Sequence, residues 1–136
     1  MTDEGKVVII RQYRHGTDQV SVEIPGGVAD PEDGTLARAA RREMLEETGY
    51  DAAEIVPIGH VAPNPALQNN HCHTFVALGS HKVDDITPDA SEDIAVEEIE
   101  VNEIERMIVE GELKHGIIIA GFYWFDLYRK RKPSLR

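Results

Sequence analysis

Apolar positions recur with a period of two in some stretches of this chain and with a helical period in others. Residues 6–13 carry the run Val7-Val8-Ile9-Ile10 ahead of Arg11-Gln12-Tyr13 and read as a strand. His15-Gly16-Thr17-Asp18 reads as a turn, and Val20-Ser21-Val22-Glu23-Ile24 alternates as the returning strand. Residues 55–61, 74–78 and 96–101 are predicted strands too, with the loop A-P-N-P-A-L-Q-N-N between the first two and an acidic loop over 82–93. Thr35 is a suitable N-cap for a helix whose inward stripe is Leu36, Ala39, Ala40, Met44 and Leu45. That helix ends at Thr48-Gly49, where glycine can take the left-handed conformation that closes a helix. Asn102 is expected to cap a second helix over 103–109, and 116–131 to form a last one. Its apolar mass (Ile117, Ile118, Ala120, Phe122, Trp124, Leu127) suits packing over a sheet. Strands mixed with two or three helices predict an α/β sandwich, a single domain over 1–136 with no repeat or linker.

Composition narrows the functional classes. With 25 acidic against 14 basic residues the net charge is −11, which argues against a nucleic-acid binder, whose affinity comes from neutralising phosphates. The basic tail Arg129-Lys130-Arg131-Lys132 reads as favourable charge at the last turn of a helix. No apolar run has the length of a membrane span, and M-T-D-E-G-K is not a signal peptide. The lone Cys72 rules out an internal disulfide and suits a cytoplasmic location. His71-Cys72-His73 is too short of ligands at recognisable spacing for zinc, and no nucleophile triad or P-loop stands out.

The informative chemistry lies in R-E-M-L-E-E-T-G-Y. Glu43, Glu46 and Glu47 sit at i, i+3 and i+4, so their carboxylates share one helix face. In a partly enclosed site each such like-charge pair costs about 3 kcal/mol at an effective dielectric near 20. Something positive should stand among them, unless the face is simply solvated. Three hard oxygen ligands point to Mg²⁺ or Mn²⁺.

With I-P-G-G shortly before it, this segment resembles the box of the Nudix hydrolases, G-x5-E-x7-R-E-U-x-E-E-x-G-U, where U is bulky and apolar. The second half is complete from Arg42 to Tyr50. The first half departs: Gly34 stands before Arg42 with seven residues between, where the family has a glutamate, and Asp33 or Glu32 is available to replace it. The resemblance implies a Nudix-type α/β/α sandwich with a mixed sheet between helices. It implies hydrolysis of the pyrophosphate bond of a nucleoside diphosphate linked to another group. Glu43 and Glu47 would be the leading metal ligands, with Glu46 beside them and Gly27 giving its carbonyl, and Arg42 would orient a glutamate.

R-Q-Y-R before E-I-P-G-G is similar to the branch acting on ADP-ribose and other nucleotide sugars. By that resemblance Arg14 contacts the diphosphate, Glu23 lines the pocket, and Pro65 is the near match to a proline that follows the box. Glu92 would be a late carboxylate, a general base or further metal ligand. The branch implies a homodimer, while its N-terminal strand layer is expected to be missing from this chain. Two alternatives stay open: a housecleaning hydrolase of (deoxy)nucleoside triphosphates, and a non-catalytic sensor of nucleotide sugars.

Overall fold

A computed structural model describes residues 1–87 and 93–132. Its centre is a three-stranded antiparallel sheet in which β1 (Lys6–Arg14) lies between β2 (Gln19–Glu23) and β7 (Ile94–Glu100). The register pairs Ile10 with Glu23 on one side and with Val96 on the other. All of Val7 to Ile10 is buried, because helices cover both faces of this strand. Val7 and Ile9 face a large core with Val22, Met107, Leu113, Phe122 and Phe125, whereas Val8 faces a smaller one with Met44, Tyr50 and Ala52.

β4 (Glu54–Val61) and β5 (Cys72–Leu78) form a separate antiparallel pair, with a register shift between Pro57 and Gly59. A Cβ on Gly59 would stand 2.2 Å from the Trp124 ring, so the last helix rests directly on this backbone. Two short strands, β3 (Tyr50–Asp51) and β6 (His81–Lys82), pair with each other. The helices are α1 (Leu36–Thr48), α2 (Glu103–Val109) and α3 (Gly116–Arg131). Together these layers make the expected α/β sandwich.

Three local expectations are corrected. The inward face of α1 is not the leucine stripe, for Leu36 and Leu45 are exposed while Ala39, Met44, Glu47 and Thr48 are buried. The helix turns two adjacent i+4 rows inward, 39-43-47 and 40-44-48, and the first of them carries carboxylates. Asn102 precedes α2, but its side chain makes no capping bond and its backbone is already helical. β3, β6 and a single 3-10 turn over Pro31–Asp33 are elements that the apolar pattern does not disclose. Thr35 does cap α1, accepting from the Arg38 N–H, and Gly49 closes it at φ 71°.

Candidate functional site

α1 and the loop after β2 meet face to face. Glu47 is only 4 % exposed, and its carboxylate accepts a hydrogen bond from the Gly26 N–H at 2.9 Å. Glu43 lies against Gly27 so closely that a Cβ there would stand 2.5 Å from its Oε1. A Cβ at Gly27 would therefore have to displace the end of the Glu43 side chain.

Arg42 organises the rest. Its Nε and Nη2 donate to the two oxygens of Asp33 at 3.0 and 3.1 Å, and Nη2 also reaches the Val28 carbonyl. Its Nη1 donates to Glu43 at 2.9 Å and to Glu46 at 3.0 Å. Asp33, which also receives the Asp30 N–H, is held below the usual carboxylate range, chiefly by Arg42. The Arg42 guanidinium is correspondingly raised, first by Asp33. Of the two acids available in place of Gly34, Asp33 is the one that meets Arg42, and Glu32 is exposed. One extra loop residue is absorbed by the 3-10 turn, which closes at Gly34 with φ 72°.

Across the loop a cleft of about 570 Å³ opens between α1, β5 and the start of α3. Arg14, Glu23, Pro63 and His115 line it together with Gly26, Gly27 and Glu43. Arg14 grips Glu23 with two parallel bonds of 2.8 and 2.7 Å. Burial acts to raise the Glu23 carboxyl, but the bonds from Arg14 and Ser21, with the charges of Arg14 and His115, hold it below its ordinary value. Pro65 is not in this cleft, since it lines a shallow depression with Leu67, Gln68, Asn69 and Asn70. Glu92 lies outside the described residues.

His71 and His73 share a face as expected, and register adds a third ring that the sequence does not disclose. His60 is the cross-strand partner of His73, and the three ring centroids are 5.3 to 6.4 Å apart. Among the described residues, no group of three His, Cys, Asp or Glu side chains could hold a metal ion as it stands. At α1, Arg42 Nη1 bridges Glu43 and Glu46. Burial pushes the Cys72 thiol up, away from reactivity. His115 was not selected from sequence either, because nothing local marks a histidine before a helix as a cleft residue. Among the described residues, no helix is long and apolar enough to cross a membrane.

Comparison with known proteins gives a consistent picture. The family model for the NUDIX domain matches residues 1–120. An ADP-ribose pyrophosphatase of Bacillus subtilis is 34 % identical over 77 residues, covering 57 % of this chain and 41 % of the relative. The chain thus spans less than half of that relative's length. A methanol dehydrogenase activator of Bacillus methanolicus is 30 % identical over 133 residues, covering 97 % of this chain and 71 % of the relative. Among solved structures, an ADP compounds hydrolase superposes with a TM-score of 0.86 at 17 % identity, over 97 % of this chain and 70 % of that one. At that identity the likeness speaks for the fold alone.

Proposed function

The chain belongs to the NUDIX domain family, and from that premise we propose that it hydrolyses the pyrophosphate bond of a nucleotide sugar, ADP-ribose first among them. The products are a nucleoside monophosphate and a sugar phosphate. One observation carries this reading: the buried carboxylate row of α1 is pressed against the Gly26-Gly27 backbone at the edge of a cleft that also holds Arg14. The name of the Bacillus subtilis relative supports the choice of substrate.

Nudix hydrolases generally use divalent metals, and the donors here fit a hard cation of the Mg²⁺ or Mn²⁺ kind. Glu43, Glu46, Glu47 and the Gly27 carbonyl offer oxygen only. When bound, such an ion neutralises phosphate oxygens and acidifies the attacking water. The protein's own residues do the positioning. The Gly26 N–H fixes the Glu47 carboxylate, Asp33 tethers Arg42, and Arg42 steadies Glu43 and Glu46. Arg14, oriented by Glu23, presents its guanidinium to the diphosphate. Glu92 is retained as the general base or an added ligand, and Pro65 as a rim contact to the substrate. In this reading residues 1–136 form one domain, working in the cytoplasm as a homodimer on a small molecule and not on nucleic acid.

The test is phosphatase-coupled phosphate release with Mg²⁺ across ADP-ribose, GDP-mannose, UDP-glucose and a set of dNTPs. Turnover of a diphosphate sugar supports the proposal, and pyrophosphate release from dNTPs alone moves it to the housecleaning class. A second reading, modulation of a dehydrogenase, is favoured by the relative matched over 97 % of this chain. A silent panel with stimulation of a dehydrogenase would select it, and a silent panel without stimulation leaves a non-catalytic sensor.

Two substitutions refine the assignment. Arg14→Ala is expected to raise KM about tenfold for every diphosphate substrate, with kcat little changed. Melting is recorded beside it, because Glu23 loses its partner while buried. An effect confined to one sugar would give Arg14 a different role. Gly27→Ala should push the Glu43 carboxylate aside and lower kcat/KM by about tenfold or more, with the fold retained. Unchanged kinetics in that variant would remove Glu43 from the ligand set.

A further inference from the structure

Three of the chain's six histidines meet at one end of the β4–β5 pair. His73 lies in β5 and His71 just before it, two positions apart and therefore on one face. His60 is the register partner of His73, and cross-strand partners hold their Cβ atoms about 5 Å apart. The outcome is a triangle of rings. His60 stacks on His73 at 5.3 Å between centroids, and His71 stands 5.7 Å from His60 and 6.4 Å from His73. Packing does not account for the cluster, because all three residues are exposed and none belongs to either core. Among the described residues, no hydrogen bond or ion pair engages their ring nitrogens. His71 and His73 also border the cleft.

We propose that His60, His71 and His73 form a binding site for a divalent d-block cation of the Zn²⁺ class, apart from the carboxylates of α1. Imidazole nitrogen is a donor that such ions favour, whereas Mg²⁺ takes oxygen. With Zn–N bonds of about 2.1 Å in a tetrahedral array, three imidazole centroids around one ion stand about 5 Å apart. The observed triangle is somewhat wider, so the rings as they stand do not enclose an ion. Closing it takes side-chain rotation alone, which exposed rings can make between staggered rotamers. The β4–β5 ladder meanwhile fixes the backbone from which His60 and His73 project. Three protein nitrogens leave a fourth position for water. The surplus of acidic residues, 25 against 14 basic, draws cations to the surface. An ion held here adds positive charge beside the cleft, and its binding does not depend on the hydrolytic reading.

The experiment is calorimetric titration with Zn²⁺ in an excess of Mg²⁺, which keeps the oxygen donors of α1 occupied. It compares the unaltered protein with His60→Ala, His71→Ala, His73→Ala and, as control, Glu47→Gln. One ion per chain is expected, with a Kd on the order of 10 µM or below. Each alanine should weaken binding by at least about tenfold, whereas Glu47→Gln should leave it within about twofold. Absence of binding tighter than about 100 µM overturns the proposal. So does a loss confined to one histidine, or one that follows Glu47 instead. Half an ion per chain also overturns it, since the metal would then bridge two copies. Circular dichroism accompanies each variant, and where alanine disturbs the spectrum, glutamine at the same position takes its place. No turnover enters any of these readings, so failure of the pyrophosphatase assay leaves this result to stand or fall by itself.

Discussion

Glu47→Gln is expected to lower kcat by on the order of a hundredfold or more at saturating Mg²⁺ while melting within a few degrees of the unaltered protein. The two halves of this outcome have separate causes. Glutamine keeps the carbonyl oxygen that accepts from the Gly26 N–H, so the buried contact between α1 and its loop survives. What disappears is the negative charge, which strengthens a ligand's hold on a hard divalent ion. Kinetics across a Mg²⁺ series, read beside circular dichroism, measure both. Full activity in a folded variant would remove Glu47 from the metal assignment, and collapse of the fold would show a structural role instead.

The largest effect on stability is expected at the other end of α1. Gly49→Ala should destabilise the protein by roughly 3 kcal/mol and lower its melting temperature by on the order of 10 °C. Gly49 has φ 71°, and a Cβ there would stand 2.1 Å from the Asp84 carbonyl oxygen. That backbone has little freedom to give way, because the Val83 and Asp84 N–H groups both donate to the Gly49 carbonyl. Gly34→Ala is the matching control. It has nearly the same φ, 72°, but its nearest neighbour would be an Arg38 side-chain nitrogen at 3.8 Å. With ψ −32° it lies outside the left-handed helical region, so any loss there is conformational strain without collision. Differential scanning calorimetry of the pair separates strain from collision, and equal losses would refute the clash.

Much of this architecture was legible in the chain, and the parts that were not have physical reasons. The apolar run of β1, the alternation of β2 and the Thr35 and Gly49 signals are local, so they survive without tertiary information. Tyr50–Asp51 and His81–Lys82 are strands only because they find each other, which no window of sequence reports. The apolar pattern puts leucines on the inward face of α1, whereas the buried row includes Glu47. Helical spacing brings Glu43, Glu46 and Glu47 onto one face, whereas the role of Arg42 enters through the family resemblance. Choosing Asp33 over Glu32 needed the loop's path, and His60 beside His73 needed a strand register that shifts between Pro57 and Gly59. His115 and Pro65 depend on where distant segments pass, one into the wall of the cleft and one into a depression that shares Asn70 with it.

Arg42 between Glu43 and Glu46 changes what metal uptake means in the proposed reading. The acidic face already has an internal counter-ion, so in that reading a divalent ion would share Glu43 and Glu46 with Arg42. Asp33 and the Val28 carbonyl would keep hold of the other guanidinium nitrogens. Repulsion among the carboxylates is therefore relieved before any ion arrives, and folding does not have to wait for one. The same arrangement would lower the net affinity for a metal by whatever hold Arg42 has on the two carboxylates. Metal uptake and folding would then be separable events.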